Sequence, residues 1–489
     1  MDKVIILVND AEDIKFINKV RVDFLKDGDF ELYVAAINIK KRRKRLCDFI
    51  DCFFNDKKTT NIDSEIKILD FEVIDINEFN FIYNVTNLYL PSVKGRVIDV
   101  KLNNEVVDSS SFDIFLYSRK MVSLQLYDES EFITEVEIVS KKPSLHVKKK
   151  EFFDSIVFFI NFRNKIKLGS KLNPSPSIDR KKEKGLLIFF LLNLFFYYCE
   201  AFLSRYLYRD YWMIFYKKKS SKSSKCSEIY DEWIQLPQHR DVFVADPFLF
   251  HHNDKEWIFF EECPIFNGKG TISAFDISEG RTYRHIINEA HHLSFPNIFE
   301  FREKKYILPQ SNDGKISLYI EENFPENWKI IDTLLESSGF TFADTIIFLR
   351  EGEGEMFTNV YSHLRDCNKY CVKFKIKFSQ HEELLHIQLK DCTLFAVGVS
   401  RSRLAGNIFK IKDEYYRPVQ DCTRTYGGEV KYKKIYLGDD EPLEKEHDCL
   451  LISNLNQNLP YKSYGHHTIS INDRIVAMDS KRKLFGFYL

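Results

Sequence analysis

The sequence predicts an α/β domain followed by an all-β five-bladed propeller, and three observations carry that expectation. Near the N-terminus, over residues 1–165, short apolar runs alternate with a helix-like pattern. Over 233–489 one strand–turn–strand pattern recurs five times. Between them, 166–232 holds a strongly apolar run and a basic, Ser-rich stretch that suit a helix and a linker.

A chain of 489 residues exceeds one hydrophobic core and implies more than one domain. Hydrophobic residues make up 44% and charged residues 29%, an ordinary globular composition. Lys+Arg number 71 against 72 Asp+Glu, a net charge of −1 that argues against a dedicated nucleic-acid binder. The 10 cysteines include no C-x-x-C pair, and none completes a zinc spacing, so no metal and no cofactor are expected. The opening MDKVIILVND has an acidic flank and a short apolar run, which reads as a first strand and not as a signal peptide. Together these features predict a cytoplasmic chain with reduced thiols.

In the first domain VIILVN at 4–9, ELYVAAI at 31–37, IKILDF at 66–71 and DIFLY at 113–117 are strand-like. Ile14, Phe16, Ile17, Val20, Phe24 and Leu25 fit one face of a helix between the first two. Strand–helix–strand order predicts a doubly wound domain on a parallel sheet, and the absence of G-x-G-x-x-G excludes a dinucleotide fingerprint.

After Arg180-Lys181-Lys182-Glu183-Lys184 the chain is apolar from Leu186 to Cys199 apart from Asn193. That run is short for a span of about 20 residues, and we read it as a helix buried between domains. The alternative is a peripheral membrane contact through 186–199, with Tyr206, Tyr208, Tyr211 and Trp212 at headgroup level.

The five repeats are ADPFLFHHNDKEWIFFEE, FPNIFEFREKKYILPQ, ADTIIFLREGEGEMFTNV, AGNIFKIKDEYYRPVQD and HTISINDRIVAMDS. Anchored at Asp246, Pro296, Asp344, Gly406 and His467 they are spaced by 50, 48, 62 and 61 residues, as blades of four strands would be. One register of the innermost strands should face the channel, which gathers Asp246, Asp344 and His467, with Asn297, Asn407 and Thr468 one position along. Paired carboxylates in a confined site can divide acid and base roles, as sugar chemistry requires. Asp-Pro and Asp-Thr also start strands simply by capping turns. Glu429, after Gly427-Gly428, is a candidate third carboxylate. Of Glu261 and Glu262 one must face inward by strand alternation, and the choice here is Glu262. Arg401, Arg403, Arg417, Arg424 and Tyr426 could hold a phosphate or carboxylate, or could serve as surface ion pairs.

The ADPF…EE start, the DTIIF strand and the count of five blades resemble the five-bladed glycosidases and fructosyltransferases. That likeness implies a base or nucleophile at the blade-1 Asp, a second Asp that tunes proton affinity, and a later Glu as acid. SFPNIFEF, SRLAGNIFK, YYRPVQDCTRTYGGEV and HHTISINDRIVAMDS more closely resemble the N-terminal propeller domain of plant glucosamine inositolphosphorylceramide transferases. Bacterial proteins carry that domain behind a formyltransferase-like α/β domain. In the plant enzymes a separate glycosyltransferase domain follows, and this sequence shows none after its propeller. The N-terminal half resembles a formyltransferase domain loosely, without an H-x-S-L-L-P-type loop, so it reads as a degenerate one.

The resulting expectation is a sugar-modifying or sugar-transferring enzyme of cell-surface polysaccharide or glycolipid biosynthesis, acting through the propeller channel on a sugar or lipid-linked glycan. A non-catalytic glycan-binding scaffold and a sugar N-formyltransferase are the alternatives.

Overall fold

The computed structural model describes residues 2–17, 30–38, 66–71, 74–86, 93–103, 105–107, 122–128, 131–139, 144–163, 186–218, 232–266, 268–337, 340–350, 353–362, 370–381, 384–411, 414–423, 425–435, 445–446 and 463–485, with 88, 90 and 459 between them. They form two compact units, Met1–Ser204 and Arg205–Leu489.

In the first unit β1 (Asp2–Asp10), β2 (Phe30–Asn38), β3 (Lys67–Asp70), β4 (Phe81–Val85) and β5 (Arg96–Leu102) form a parallel array in the order β3-β2-β1-β4-β5. The short β6 (Glu105–Val106) pairs with β5 at its end. β7 (Val122–Asp128) and β8 (Glu131–Ile138) extend the sheet antiparallel beyond β5. Val4 to Val8 are completely buried, as befits a central parallel strand covered on both faces. Among the described residues the unit's α-helices are α1 (Leu145–Asn161) and α2 (Leu186–Tyr206). Ser144 caps α1 by accepting the Val147 N–H at 3.3 Å. Of the helix expected on Ile14–Leu25, the described part is a 3-10 turn over Ala11–Phe16. Val20, Phe24, Leu25 and the strand expected at 113–117 lie outside the described residues.

α2 is helical as expected, yet it is not enclosed. Phe190, Asn193 and Leu194 are buried, whereas Ile188 and Phe195 on the other side are 66% and 60% exposed. A helix apolar on all sides can bury only the face that meets a neighbour. No helix among the described residues is long and apolar enough to cross a membrane.

The second unit is a five-bladed propeller. β9 (Tyr208–Lys218) and β10 (Ile234–Gln235) come first in the chain but belong to the last blade. Blade 1 is β11 (Val242–His252), β12 (Lys255–Pro264), β13 (Thr271–Asp276) and β14 (Arg281–Ile287). Blade 2 is β15 (Leu293–Phe301), β16 (Lys304–Ser311), β17 (Lys315–Asn323) and β18 (Asn327–Glu336). Blade 3 is β19 (Phe340–Arg350), β20 (Glu353–Ser362), β21 (Tyr370–His381) and β22 (Leu384–Val397). Blade 4 is β23 (Phe409–Ile411), β24 (Glu414–Asp421), β25 (Glu429–Ile435) and β26 (Lys445–Glu446). β27 (Ile469–Ile471) and β28 (Ile475–Phe485) complete blade 5, where β28 pairs with β9 from Ile475↔Lys218 to Phe485↔Tyr208. All five expected hairpins are therefore present. The expected boundary at Trp233 is not where the unit begins, because β9 lies in the stretch read as helix and linker. Pairing the chain's last strands with β9 closes the ring and removes two exposed sheet edges.

Alternation within each strand feeds two cores at once. In blade 1 Phe248, Trp257 and Phe259 join a cluster with Leu293, Phe295 and Ile298 of blade 2. Leu249, Ile258 and Phe260, one residue out of phase, join Ile214, Tyr216, Ile475 and Ala477 of blade 5. Both faces of a blade are thus buried, each such side chain contributing roughly 1.5–3 kcal/mol. This explains why the strands read as apolar runs.

Candidate functional site

The inner strands of blades 1, 2 and 3 share one irregularity. Their pairing slips between Ala245 and Phe248, Ser294 and Asn297, and Ala343 and Ile346. At each slip the first extra residue has a left-handed backbone: Asp246 at φ 54°, Phe295 at 47° and Asp344 at 49°. Such a conformation costs about 1–3 kcal/mol in a non-glycine residue, and bulges of this kind re-aim a side chain. The blade-2 equivalent of Asp246 and Asp344 is therefore Phe295, one residue before the expected anchor Pro296.

Asp246 is almost fully buried and joins three blades. Its Oδ1 accepts the Thr468 hydroxyl at 2.6 Å and lies 3.2 Å from His467 Nε2. Its Oδ2 accepts the Phe295 N–H at 3.1 Å. On its other side His467 Nδ1 lies 2.6 Å from Asp479 Oδ2. Asp479 Oδ1 also accepts the His467 and Thr468 N–H groups at 2.8 and 3.0 Å. Trp212 of β9 packs against the imidazole with ring centres 4.1 Å apart. Burial opposes a charged imidazole, but the Asp479 and Asp246 carboxylates outweigh it and raise His467 to about 10. Burial would likewise raise Asp246. The His467 charge and hydrogen bonds from His467, Thr468 and Phe295 reverse that and hold its carboxyl below the usual range.

Asp344 meets a different cation. Arg403 Nε lies 2.6 Å from Asp344 Oδ2, and a guanidinium NH₂ donates to Oδ1 at 3.3 Å. Burial lifts Asp344 to about 6 despite Arg403, with the Asp246 charge adding to the rise. Tyr426 lies over this group, its ring 4.6 Å from the Arg403 guanidinium carbon and 5.4 Å from the His467 ring centre, and it is 39% exposed. Gly427 makes that placement feasible. Its φ is 59°, and a Cβ there would stand 2.5 Å from the Trp212 ring.

Glu261, not Glu262, shares this region. Glu261 pairs with Ala245 across the first hairpin, and its Oε1 lies 3.2 Å from His292 Nε2. The Gly270 N–H donates to His292 Nδ1 at 2.9 Å, which leaves the ring proton on the nitrogen facing Glu261. Burial raises Glu261, and the nearby Asp246 charge adds to the rise while His292 opposes it. Glu262 points the other way, accepting from Ser273 Oγ at 2.7 Å and from Arg284 Nε at 2.7 Å.

The other expected residues divide. Asn297 donates to Asn407 Oδ1 at 2.7 Å and accepts the Ile347 N–H at 2.9 Å, tying blades 2, 3 and 4. Arg417 is fully buried and donates to the Ser402 and Arg401 carbonyls at 3.1 and 2.8 Å, a structural position. Arg401 Nε donates to the Val397 carbonyl. Glu429 is exposed at the start of β25. Arg424 lies outside the described residues. The arginine cluster read from the sequence therefore does not converge on one anion: Arg403 has its counter-charge in Asp344, and Arg417 holds backbone.

Among the described residues two sets of donor atoms come within 4.8 Å of one another, Asp246–His467–Asp479 and Glu261–Cys263–His292. In the first, the charged imidazole already occupies the place of a cation. In the second, burial pushes the Cys263 thiol up to about 12, so it keeps its proton and is a poor ligand as it stands.

Residues 233–471 match the family model described as glucosamine inositolphosphorylceramide transferase 1, N-terminal. The chain is 29% identical over 271 residues to the protein of that name from Oryza sativa subsp. indica, covering 50% of this chain and 35% of the rice protein. It is 30% identical over 213 residues to the Arabidopsis thaliana protein, covering 42% of this chain and 26% of that one. The chain thus matches between about a quarter and a third of the length of these relatives. Among solved structures, a xylan beta-1,4-xylosidase from Bacillus halodurans aligns with 50% of this chain and 53% of its own, at 13% identity and a TM-score of 0.36.

Proposed function

We propose that this protein transfers or modifies a sugar during glycolipid or surface-polysaccharide assembly, at the Asp246–Glu261 end of the propeller. One observation carries the reading: a carboxyl held below its usual range and a second one raised above it belong to the same hairpin. Chemistry at an anomeric carbon needs that division, with an acid to protonate the departing oxygen and a carboxylate to take a proton or attack. Glu261 is the acid, in place of Glu262, and Asp246 the base. Of the four lone-pair directions of a carboxylate, Asp246 has three engaged and keeps one. Tyr426 offers a partly exposed aromatic face to a sugar ring. The resemblance to plant glycolipid transferases over this same segment agrees with a lipid-linked or glycan substrate. In this reading the parallel sheet of the first unit is a degenerate formyltransferase-like scaffold, and the setting is cytoplasmic.

A second reading, a binding module that presents a glycan to a partner enzyme, is favoured by the near-complete burial of Asp246, Glu261 and Asp344 and the pairing of each. Incubating the full chain with nucleotide sugars and lipid-linked sugars, while following both binding and release of the sugar's leaving group, separates the two. Turnover by the wild type, reduced by about 10²–10⁴ in Glu261→Gln and unaffected in Glu262→Gln, supports the enzyme. Binding with no turnover by any donor supports the module.

A further inference from the structure

The exposed face of α2 is a feature that sugar chemistry does not use. Ile188, Leu191, Leu192, Phe195, Phe202 and Leu203 recur at helical spacing along one side and are 40% to 66% exposed. Phe190 and Leu194, on the opposite side, are buried. Scattered apolar residues on a surface are ordinary, but a continuous stripe about four turns long marks a surface with a partner. Charge decides which partner. The sequence running into the helix carries Arg180, Lys181, Lys182 and Lys184 around the single acidic Glu183, and Arg205 lies in its last turn. Within the helix the only acidic residue is Glu200. A second copy packed antiparallel on this face would bring basic ends together, whereas an anionic headgroup layer supplies the opposite charge at both ends.

We propose that α2 lies flat in the interface of an anionic bilayer, its Ile188–Leu203 stripe among the acyl chains and its flanking Lys and Arg residues on the headgroups. An interfacial helix of this kind needs one apolar face and basic flanks but not the length of a span. The contact tethers the chain to a membrane, where a lipid-linked sugar would be met. It does not depend on the sugar reading, since a protein that binds vesicles but no sugar retains it.

The test is flotation of the full chain with vesicles of phosphatidylcholine alone and of phosphatidylcholine with about a third phosphatidylserine. The expected result is flotation with the anionic vesicles, weakened by salt and by omission of phosphatidylserine. Leu192→Glu and Phe195→Glu should each lower the bound fraction at least about tenfold with an unchanged thermal melt. If either variant misfolds, Phe195→Trp keeps the face apolar, and its added fluorescence should be quenched by brominated acyl chains. Absence of flotation in the wild type overturns the proposal, as does undiminished flotation of well-folded Glu variants or an unquenched Phe195→Trp. A lipid-free dimer that the Glu substitutions split, with no vesicle binding, would assign the face to a second copy instead.

Discussion

Asp246 Oδ1 lies 3.2 Å from His467 Nε2, so the first inner strand of the propeller is joined to its last blade by a buried ion pair. Asp479 grips the same imidazole from behind, at 2.6 Å. One charged ring between two carboxylates thus sits at the seam where the ring closes, beside the strand β9 that arrives from the start of the unit. The proposed chemistry and the closure share these residues, and substitutions here should be read for both.

The proton on His467 should make stability depend on alkaline pH. Its affinity is raised to about 10 in the folded state from an ordinary 6.5, so the folded protein binds the proton more tightly than the unfolded chain. The stabilisation is complete below about 6.5 and is lost as pH rises towards 10, a loss on the order of a few kcal/mol. Thermal melts of the wild type should fall across that window, whereas His467→Gln should melt lower at neutral pH and change little above it. A wild-type profile that is level from pH 7 to 10 would show that the imidazole carries no excess proton.

The place where the propeller begins can be tested by shortening the chain. β28 is paired with β9 along its whole length, and Ile214 and Phe215 of β9 are fully buried. A chain starting at Trp233 lacks the third strand of blade 5 and takes from Ile475 and Ala477 the cover of Ile214 and Tyr216. It should be insoluble or unfolded, while one starting at Arg205 should show a cooperative melt. Equal stability of the two would detach β9 from the fold.

The five hairpins were legible because each inner strand is apolar on both faces and ends in a polar turn. β9 was not legible, since ring closure by a strand from outside the repeat leaves no period to detect. The choice between Glu261 and Glu262 failed for a local reason. Alternation says only that one of the two faces inward, and choosing between them needs the pairing register beyond the bulge at Asp246-Pro247. Pairing from Ala245, ahead of the bulge, leads to Glu261. Asp479 was hidden among the apolar residues of IVAMDS, although a carboxylate in the middle of such a strand is itself a signal of a buried partner. Asp246, Asp344 and His467 were visible as repeat anchors. That each would meet its own counter-charge depends on backbone geometry that no spacing reveals.

Gly427→Ala should damage the site through packing. The added methyl meets Trp212 at 2.5 Å and His467 Cβ at 3.1 Å, on a backbone with φ 59°. Strain and displacement together should cost about 1–3 kcal/mol and move Tyr426 off Arg403 and His467. A chemical melt measures the first effect, and loss of ligand binding beyond the fraction unfolded measures the second. A wild-type melt in the variant would mean that the 427–428 turn is free to relax and does not fix Tyr426.

Asp344 and Arg403 form the other buried ion pair, and a double-mutant cycle separates structure from chemistry there. Arg403 is 8% exposed and Asp344 2%, so removing either partner strands a charge away from water. Asp344→Asn should destabilise by roughly 3–5 kcal/mol because the guanidinium stays charged and buried. Arg403→Met leaves a carboxyl that burial already lifts to about 6, and without its partner that carboxyl should take up a proton instead of remaining charged. The cost should therefore be smaller and should shrink in mild acid. Asp344→Asn with Arg403→Met removes both charges and should be less destabilised than Asp344→Asn alone, since no buried charge is left without its partner. Chemical melts of the four proteins at pH 5 and pH 8 give the coupling directly. Additive losses would mean that the two groups do not stabilise each other despite the 2.6 Å contact. If the double variant is stable and still binds a sugar, the pair serves the fold alone. If it is stable and has lost binding, Asp344 or Arg403 touches the ligand.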